Sequence, residues 1–105
     1  MSKKELPEGL LEAARNRLNI TWPDPEGDEK LTGILLRGMA YLDDIAGEPL
    51  DYTLEELHRE LLFDYAVYVR AEALDEFQAN YAPELLKLQT RKEVERYAAQ
   101  GAADL

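Results

Sequence analysis

The chain has 105 residues and a formal net charge of −10, from 22 acidic and 12 basic residues, and it contains no cysteine. This length predicts one small domain, the lack of cysteine excludes disulfides and thiolate metal sites, and the acidic surface argues against tight binding to nucleic acid. No stretch reaches the ~20 apolar residues of a membrane-spanning helix, and the first residues lack the apolar core of a signal peptide, so we expect a soluble protein that stays in the cytoplasm.

The first half of the sequence predicts two helices joined by an acidic turn. Residues 7–19 repeat apolar side chains at helical spacing, with proline at the first helical position. A short extended segment is expected at residues 19–22, because Pro23 disfavours helical angles at the residue before it. The acidic turn then leads into a helix over residues 28–46, which Gly47 ends in a left-handed conformation.

The second half of the sequence predicts one long helix and one weaker helix. A Thr-x-x-Glu capping box at residues 53–56 favours a helix that continues to residue 79. A break at residues 80–83 precedes a weaker helical pattern over residues 84–99. This interpretation leaves open a flexible tail after about residue 93.

These elements predict an all-α fold for the single domain 1–105: a small helical bundle with two long core helices, a short N-terminal helix and a C-terminal helix or tail. One face of the helix over 28–46 is expected to meet the core, and it carries Leu31, Ile34, Leu35, Gly38, Tyr41, Leu42 and Ile45. Because Gly38 has no side chain, a neighbouring helix can approach closely there. Leu36 and Ala40 lie on the opposite face, which indicates a second contact surface.

The helix predicted over 53–79 is apolar on two faces. The residues of its first face are Leu54, Leu57, Leu61, Tyr65 and Tyr68. The residues of its second face are Phe63, Ala66, Ala73, Leu74 and Phe77. Either the chain folds back over the second face, or that face binds another subunit. We hypothesise that Leu74 and Phe77 contact another subunit or a partner protein, so that Phe77→Asp leaves the helical fold intact and abolishes assembly.

Three motifs were tested for chemistry and none of them predicts a site. Glu55 and His58 have the spacing of di-iron ligands, but His58 is the only histidine, and a solvated or interfacial side chain is favoured. A calcium loop beginning at residue 24 would lack its sixth-position glycine and twelfth-position glutamate. Asp43 and Asp44 are expected on a solvated face without a base or a metal. The sequence therefore predicts no enzymatic activity, no metal and no cofactor.

The order of several short segments is more specific than any one of them. They are Leu-Asn-Ile-Thr-Trp at 18–22, Arg-Gly-Met-Ala-Tyr-Leu at 37–42, Gly-Glu-Pro-Leu at 47–50, Glu-Leu-Leu-Phe-Asp-Tyr at 60–65, Tyr-Val-Arg at 68–70, Ala-Leu-Asp-Glu-Phe at 73–77 and Glu-Leu-Leu-Lys-Leu-Gln at 84–89. Through this order, over residues 6–92, the chain resembles the small helical head–tail connector proteins of tailed bacteriophages, also called adaptor or head-completion proteins.

The resemblance implies a structural, non-enzymatic role. A connector subunit of this kind forms a ring beneath the portal protein of the capsid, extends the DNA channel and presents a surface to the next neck or tail component. The implied partners are the portal protein, a downstream neck or tail completion protein and further copies of the chain, while DNA passes without specific binding. The implied location is the virion neck, reached from the host cytoplasm during assembly.

The same resemblance places the portal contact around residues 81–88. The leucines of this segment form no clean stripe, as expected if they order only against a partner. The complete set of candidate interface residues is Leu36, Ala40, Phe63, Leu74, Phe77, Tyr81, Leu85, Leu86 and Leu88. Two alternatives stay open: an acidic helical module that binds proteins or mimics DNA, and a small helical regulator that dimerises through the helix over 53–79.

Overall fold

Five α-helices build the fold in the computed structural model, which describes residues 5–103. They are α1 (Leu10–Arg17), α2 (Pro25–Ala46), α3 (Leu57–Arg70), α4 (Leu74–Asn80) and α5 (Ala82–Ala103). Within these residues there is no strand, and the extended segment expected at 19–22 is wrong at its first residue, because Asn19 has a left-handed φ of 60°. The prediction of an all-α bundle is confirmed.

The long helices α2 and α3 form the centre of the bundle, and α5 packs against α2 beside them. The predicted core face of α2 is confirmed, because Leu31, Leu35 and Leu42 are buried and the other apolar residues of that face pack against them. A Cβ atom placed on Gly38 would lie 2.7 Å from side-chain atoms of both Leu62 and Tyr65. Glycine at this position therefore allows α3 to approach α2 closely, as the sequence predicted.

Helix α2 begins three residues earlier than predicted. The carboxylate of Asp24 accepts a hydrogen bond of 3.0 Å from the backbone N–H of Gly27, and Pro25 occupies the first turn. Aspartate at the cap and proline just inside it are both favourable at a helix start. The helix ends as predicted, with Gly47 in the left-handed region at φ 79°.

Two salt bridges hold the short helix α1 onto the bundle. Arg15 pairs with Asp28 of α2 at 2.8 Å, and Arg17 pairs with Asp64 of α3 at 2.7 Å. The start of α1 differs from the prediction, because the left-handed φ of 81° at Gly9 places the proline of this segment before the helix. The apolar face of α1 is held against the core by its buried residues Leu10 and Ala14.

The predicted capping box at residues 53–56 is wrong. The backbone N–H and the hydroxyl of Thr53 both donate to a carboxylate oxygen of Asp51, at 3.0 and 2.5 Å, so Thr53 closes a turn. Helix α3 starts four residues later than predicted, with Glu56 as a cap that makes no side-chain hydrogen bond. Leu54, which was expected on the core face, is 46% exposed as a consequence. The ring of Tyr52 is buried, and it holds the chain against the core just before the start of α3.

The single helix predicted over 53–79 is two helices, because the chain turns sharply at Glu72. Glu72 has a left-handed φ of 56°. Its N–H bonds to the carbonyl of Val69 at 3.0 Å, and the N–H of Ala73 bonds to the carbonyl of Tyr68 at 2.8 Å. This is the hydrogen-bond pattern of a Schellman motif, which usually has glycine where Glu72 lies. Without that glycine, the sequence pattern gave no sign of the turn.

The turn folds α4 back against α3 and brings Phe77 to the tyrosines of the first apolar face, while Phe63 and Ala66 of the second face are buried within the chain as well. Phe77 of α4 is completely buried, with ring centroids 5.8 Å from Tyr65, 5.8 Å from Tyr68 and 4.8 Å from Tyr81. The hypothesis that Phe77 contacts another subunit is therefore corrected, because its ring is enclosed by its own chain. The alternative that the chain itself covers the second apolar face describes the structure.

Helix α5 is longer than predicted and continues through the expected tail. The break at residues 80–83 reduces to a turn at Tyr81, and the helix runs from Ala82 to Ala103. Arg96 anchors its second half by donating to the backbone carbonyl of Ala46 at 2.6 Å. Among the described residues, no helix is both long and apolar enough to cross a membrane.

Candidate partner-binding surface

The structure divides the nine predicted interface residues into core and surface. Phe63, Phe77, Leu85 and Leu88 are at most 9% exposed, so their side chains are not available to a partner of the folded chain. Leu85 and Leu88 were expected to order only against a partner, but they pack into the bundle's own core. The partly buried residues are Leu36, Leu74 and Tyr81, and the exposed ones are Ala40 and Leu86.

Tyr81 is engaged within the chain, although the resemblance placed it at a portal contact. Its ring stacks on Phe77 and lies 5.7 Å from Tyr68, edge to face. Burial, reinforced by the nearby carboxylate of Asp64, raises the pKa of the Tyr81 phenol. Burial also raises the pKa of Asp64, and it outweighs the attraction of Arg17, which lowers it. This cluster joins α1, α3 and α4 and is structural.

The candidate chemical groups form no reactive site. His58 is buried, and its Nε2 lies 2.6 Å from the carbonyl oxygen of Asp51, which corrects the expectation of a solvated or interfacial histidine. The carboxylate of Asp43 accepts hydrogen bonds from the Leu50 N–H at 3.1 Å and from the Tyr52 hydroxyl at 2.7 Å. In the part of the chain that the structure describes, no group of three or more His, Cys, Asp or Glu side chains could hold a metal.

A concave apolar surface lies between the start of the chain and the outer face of α2. This α1–α2 groove has a volume of about 700 Å³. Its apolar lining consists of Leu6, Pro7, Leu11 and Leu36. Glu5 and Glu29 lie at its rim, and Gly33 leaves its floor open. Leu36, which the sequence placed on a second contact face, thus forms part of a real groove.

A second groove, of about 690 Å³, lies on the other side of Gly33. Ile34 and Val69 supply its apolar wall, and its charged lining mixes Glu26 and Glu29 with Lys30 and Arg37. Because both signs of charge are present, this groove favours no particular charge on a partner. Among the described residues, the charged side chains that line the α1–α2 groove are both carboxylates, so this groove favours a positively charged partner more clearly than the second groove does.

The outer face of α5 is an apolar surface that sequence reasoning missed. Leu86 is 61% exposed, Val94 is 61% exposed and Tyr97 is 80% exposed. Together with the exposed Thr90, they recur at separations of four, four and three residues, which places them on one side of the helix. The spacing is visible in the sequence within the helix predicted over 84–99, but of these residues only Leu86 is among the predicted interface residues. Large apolar side chains that share a face and remain exposed mark an interaction surface.

Positive charge lies beside the outer face of α5. The helix carries four basic residues and three acidic ones, in a chain whose net charge is −10. Lys92 pairs with Glu95 at 3.0 Å, and Arg96 pairs with Glu48 at 3.2 Å. The remaining cations of the helix, at positions 87 and 91, are exposed and make no salt bridge with any residue that the structure describes.

A scan against protein-family models and searches of curated proteins and of solved structures found no match to this chain.

Proposed function

We propose that the chain is a structural subunit of a bacteriophage head–tail connector, which assembles as a ring beneath the portal protein and extends the DNA channel toward the tail. Its proposed partners are the portal protein, a neck or tail completion protein and further copies of itself. Its proposed location is the virion neck, reached from the host cytoplasm. In this role it has no catalytic activity and needs no cofactor.

The observation that carries the proposal is a pair of apolar surfaces on a chain whose core is already closed. The α1–α2 groove is lined in part by the half-buried Leu36, and the outer face of α5 exposes Leu86 and Tyr97. A subunit that contacts two neighbours in a ring needs two such surfaces. A monomer that acts alone needs neither of them.

The position of the connector-like segments in the fold supports the proposal. Leu-Asn-Ile-Thr-Trp at 18–22 lies between α1 and the cap of α2, and Gly-Glu-Pro-Leu at 47–50 forms the connection from α2 to α3. Glu-Leu-Leu-Phe-Asp-Tyr at 60–65 occupies the middle of α3. The resemblance implies the same arrangement, with a short first helix, a turn and two long core helices.

The alternative of an acidic module that mimics DNA has weaker support. A mimic presents its carboxylates to a basic partner, but several carboxylates of this chain have partners within the fold. Asp28 and Asp64 pair with arginines of α1, Glu48 pairs with Arg96, and Asp24 caps α2. The net charge instead suits a channel wall past which DNA slides without adhering.

Binding to portal tests the proposed function. The purified chain is mixed with the portal protein of the same genome, and the mixture is analysed by sedimentation and by negative-stain electron microscopy. We expect co-sedimentation and a ring of added density on one end of the portal. Duplex DNA is the comparison ligand, and no binding is expected at physiological salt. Absence of portal binding, or sub-micromolar DNA binding that falls steeply with salt, contradicts the proposal.

A further inference from the structure

The two exposed apolar surfaces of the chain have complementary shapes. The outer face of α5 is convex and carries Leu86, Thr90, Val94 and Tyr97, whereas the α1–α2 groove is concave and has an apolar lining. A helix that lays an apolar face into an apolar groove is a recurrent mode of protein recognition. Both surfaces lie on a fold whose own packing is complete without them.

Their charges are complementary as well. Lys87 and Arg91 lie along one edge of the outer face of α5 and Glu93 lies at its other edge, all three without a salt bridge to described residues, so the unpaired charge of this face is +1, whereas Glu5 and Glu29 line the α1–α2 groove. Placing the helix of one copy in the groove of another copy brings cations to carboxylates. Pairing two grooves would bring carboxylates together, which is disfavoured, whereas pairing two α5 helices would place the excess positive charge of one face beside that of the other.

We infer that the outer face of α5 docks into the α1–α2 groove of the next copy, so that the occupant of the groove is a second copy of this chain. The contact is heterologous, because two different surfaces meet. A heterologous contact closes into a ring when the rotation that relates neighbouring subunits brings the last copy back to the first. This inference rests on the proposed function and adds to it the surfaces through which neighbouring subunits touch. The bond from Arg96 to the Ala46 carbonyl fixes the direction in which Tyr97 projects.

Cysteine cross-linking between copies tests the contact, and the chain has no cysteine of its own to interfere. Two single variants are prepared, Leu36→Cys in the groove and Tyr97→Cys on α5, and they are mixed, with and without portal, and oxidised. We expect a disulfide-linked dimer in the mixture and none from either variant alone. The control mixture pairs Leu36→Cys with Val67→Cys, which is exposed on α3. A docked contact should raise the yield at least roughly tenfold over this control, through its effective concentration.

A second pair of cysteine variants tests the same contact in case a variant of the first pair does not fold. Ala40→Cys lies one turn along α2 from the groove and is exposed, and Val94→Cys lies one turn before Tyr97 on α5. Circular dichroism of each variant confirms that the helices are intact before it is mixed. Cross-linking of either pair supports the inference. Cross-linking of Tyr97→Cys with itself overturns it, because α5 would then pair with α5.

The outcomes separate this inference from the proposed function. Portal binding and ring formation without a cross-link between positions 36 and 97 or between positions 40 and 94 overturn the docking contact and leave the connector role in place. A cross-link between these positions without portal binding supports the contact and contradicts the connector role. Absence of self-association, both alone and on portal, overturns the docking contact, and absence of portal binding overturns the connector role.

Discussion

The guanidinium of Arg96 donates a hydrogen bond of 2.6 Å to the backbone carbonyl of Ala46, 50 positions earlier in the chain. Ala46 is the last residue of α2, where helical carbonyls lack partners and the helix dipole favours a cation. The side chain of Arg96 thus gives a carbonyl at the end of α2 a hydrogen-bond partner, and it holds the second half of α5 against the bundle. The next residue, Tyr97, is directed outward and is 80% exposed.

Replacement of Arg96 should loosen α5 without unfolding the bundle. Arg96→Ala removes a charged hydrogen bond and the pair with Glu48, and because Arg96 is partly exposed we expect a loss of about 1 kcal/mol in the free energy of unfolding. Hydrogen exchange of the α5 amides after residue 92 should become faster. Arg91→Ala, on the same helix but without a salt bridge to any described residue, is the control and should leave exchange unchanged. Equal exchange in the two variants contradicts the anchoring role.

Phe77 should be essential to folding, in contrast to the interface role that the sequence suggested. Its ring is completely buried among Tyr41, Tyr65, Tyr68 and Tyr81. We expect Phe77→Ala to cost about 3–5 kcal/mol in urea unfolding and Phe77→Asp to prevent folding, because it buries a charge. Leu86→Asp, on the exposed outer face of α5, serves as the control and should fold normally. A folded Phe77→Asp variant would show that α4 does not cover α3.

Leu61 and Leu54 were predicted on one face of one helix, and the structure separates them. Leu61 is 2% exposed in α3, whereas Leu54 is 46% exposed in the turn before it. Leu61→Ala should therefore reduce the free energy of unfolding by about 2–5 kcal/mol, and Leu54→Ala should change it by less than about 0.5 kcal/mol. Urea unfolding of the two variants checks both values. Similar losses in the free energy of unfolding of the two variants would indicate that the helix starts at residue 53, as predicted.

Two glycines of α2 should respond oppositely to alanine. At Gly38 an added Cβ would lie 2.7 Å from Leu62 and Tyr65, and we expect the overpacking cost of about 1–3 kcal/mol to exceed the gain in helix propensity. At Gly33 the added Cβ meets only the movable end of Arg37 at 3.2 Å. Gly33→Ala should therefore raise the free energy of unfolding by about 0.5–1 kcal/mol. Thermal unfolding of the two variants shows whether each substitution raises or lowers the stability. A Gly38→Ala variant that is more stable than the wild type would contradict the close contact of α2 and α3.

The hydroxyl of Tyr52 should contribute a pH-dependent part of the stability. Burial, with the hydrogen bond to Asp43, raises the pKa of the Tyr52 phenol well above its ordinary value of 10.0. Above pH 10 the unfolded chain loses this proton while the native chain keeps it, so the stability from Tyr52 is full below that pH and decreases above it.

Tyr52→Phe should cost about 1 kcal/mol near neutral pH, and the difference from the wild type should shrink above pH 10. Urea unfolding of the two proteins across this range gives the difference directly. Tyr97→Phe, at an exposed phenol, is the control and should show no such trend. A difference that stays constant with pH would mean that the buried hydroxyl does not keep its proton.

The sequence alone determined the features that depend on local chemistry. The apolar period of α2 identified its buried face, Gly47 marked its end, and Gly38 marked the close approach of α3. These predictions hold because helix periodicity, left-handed glycine and the space that a Cβ needs act within one or two turns of chain. The choice of an all-α bundle followed from the same signals.

Only the tertiary structure decided which apolar faces remain free. Glu72 adopts a left-handed conformation although it is not glycine, and the turn that it makes places Phe77 in the core. Arg96 hydrogen-bonds to α2 from 50 positions away, and the neighbouring Tyr97 belongs to a face of α5 that no other helix of the described residues covers. Periodicity shows that a face is apolar, but whether another helix covers it depends on contacts distant in sequence, because burial is a property of the whole packed chain.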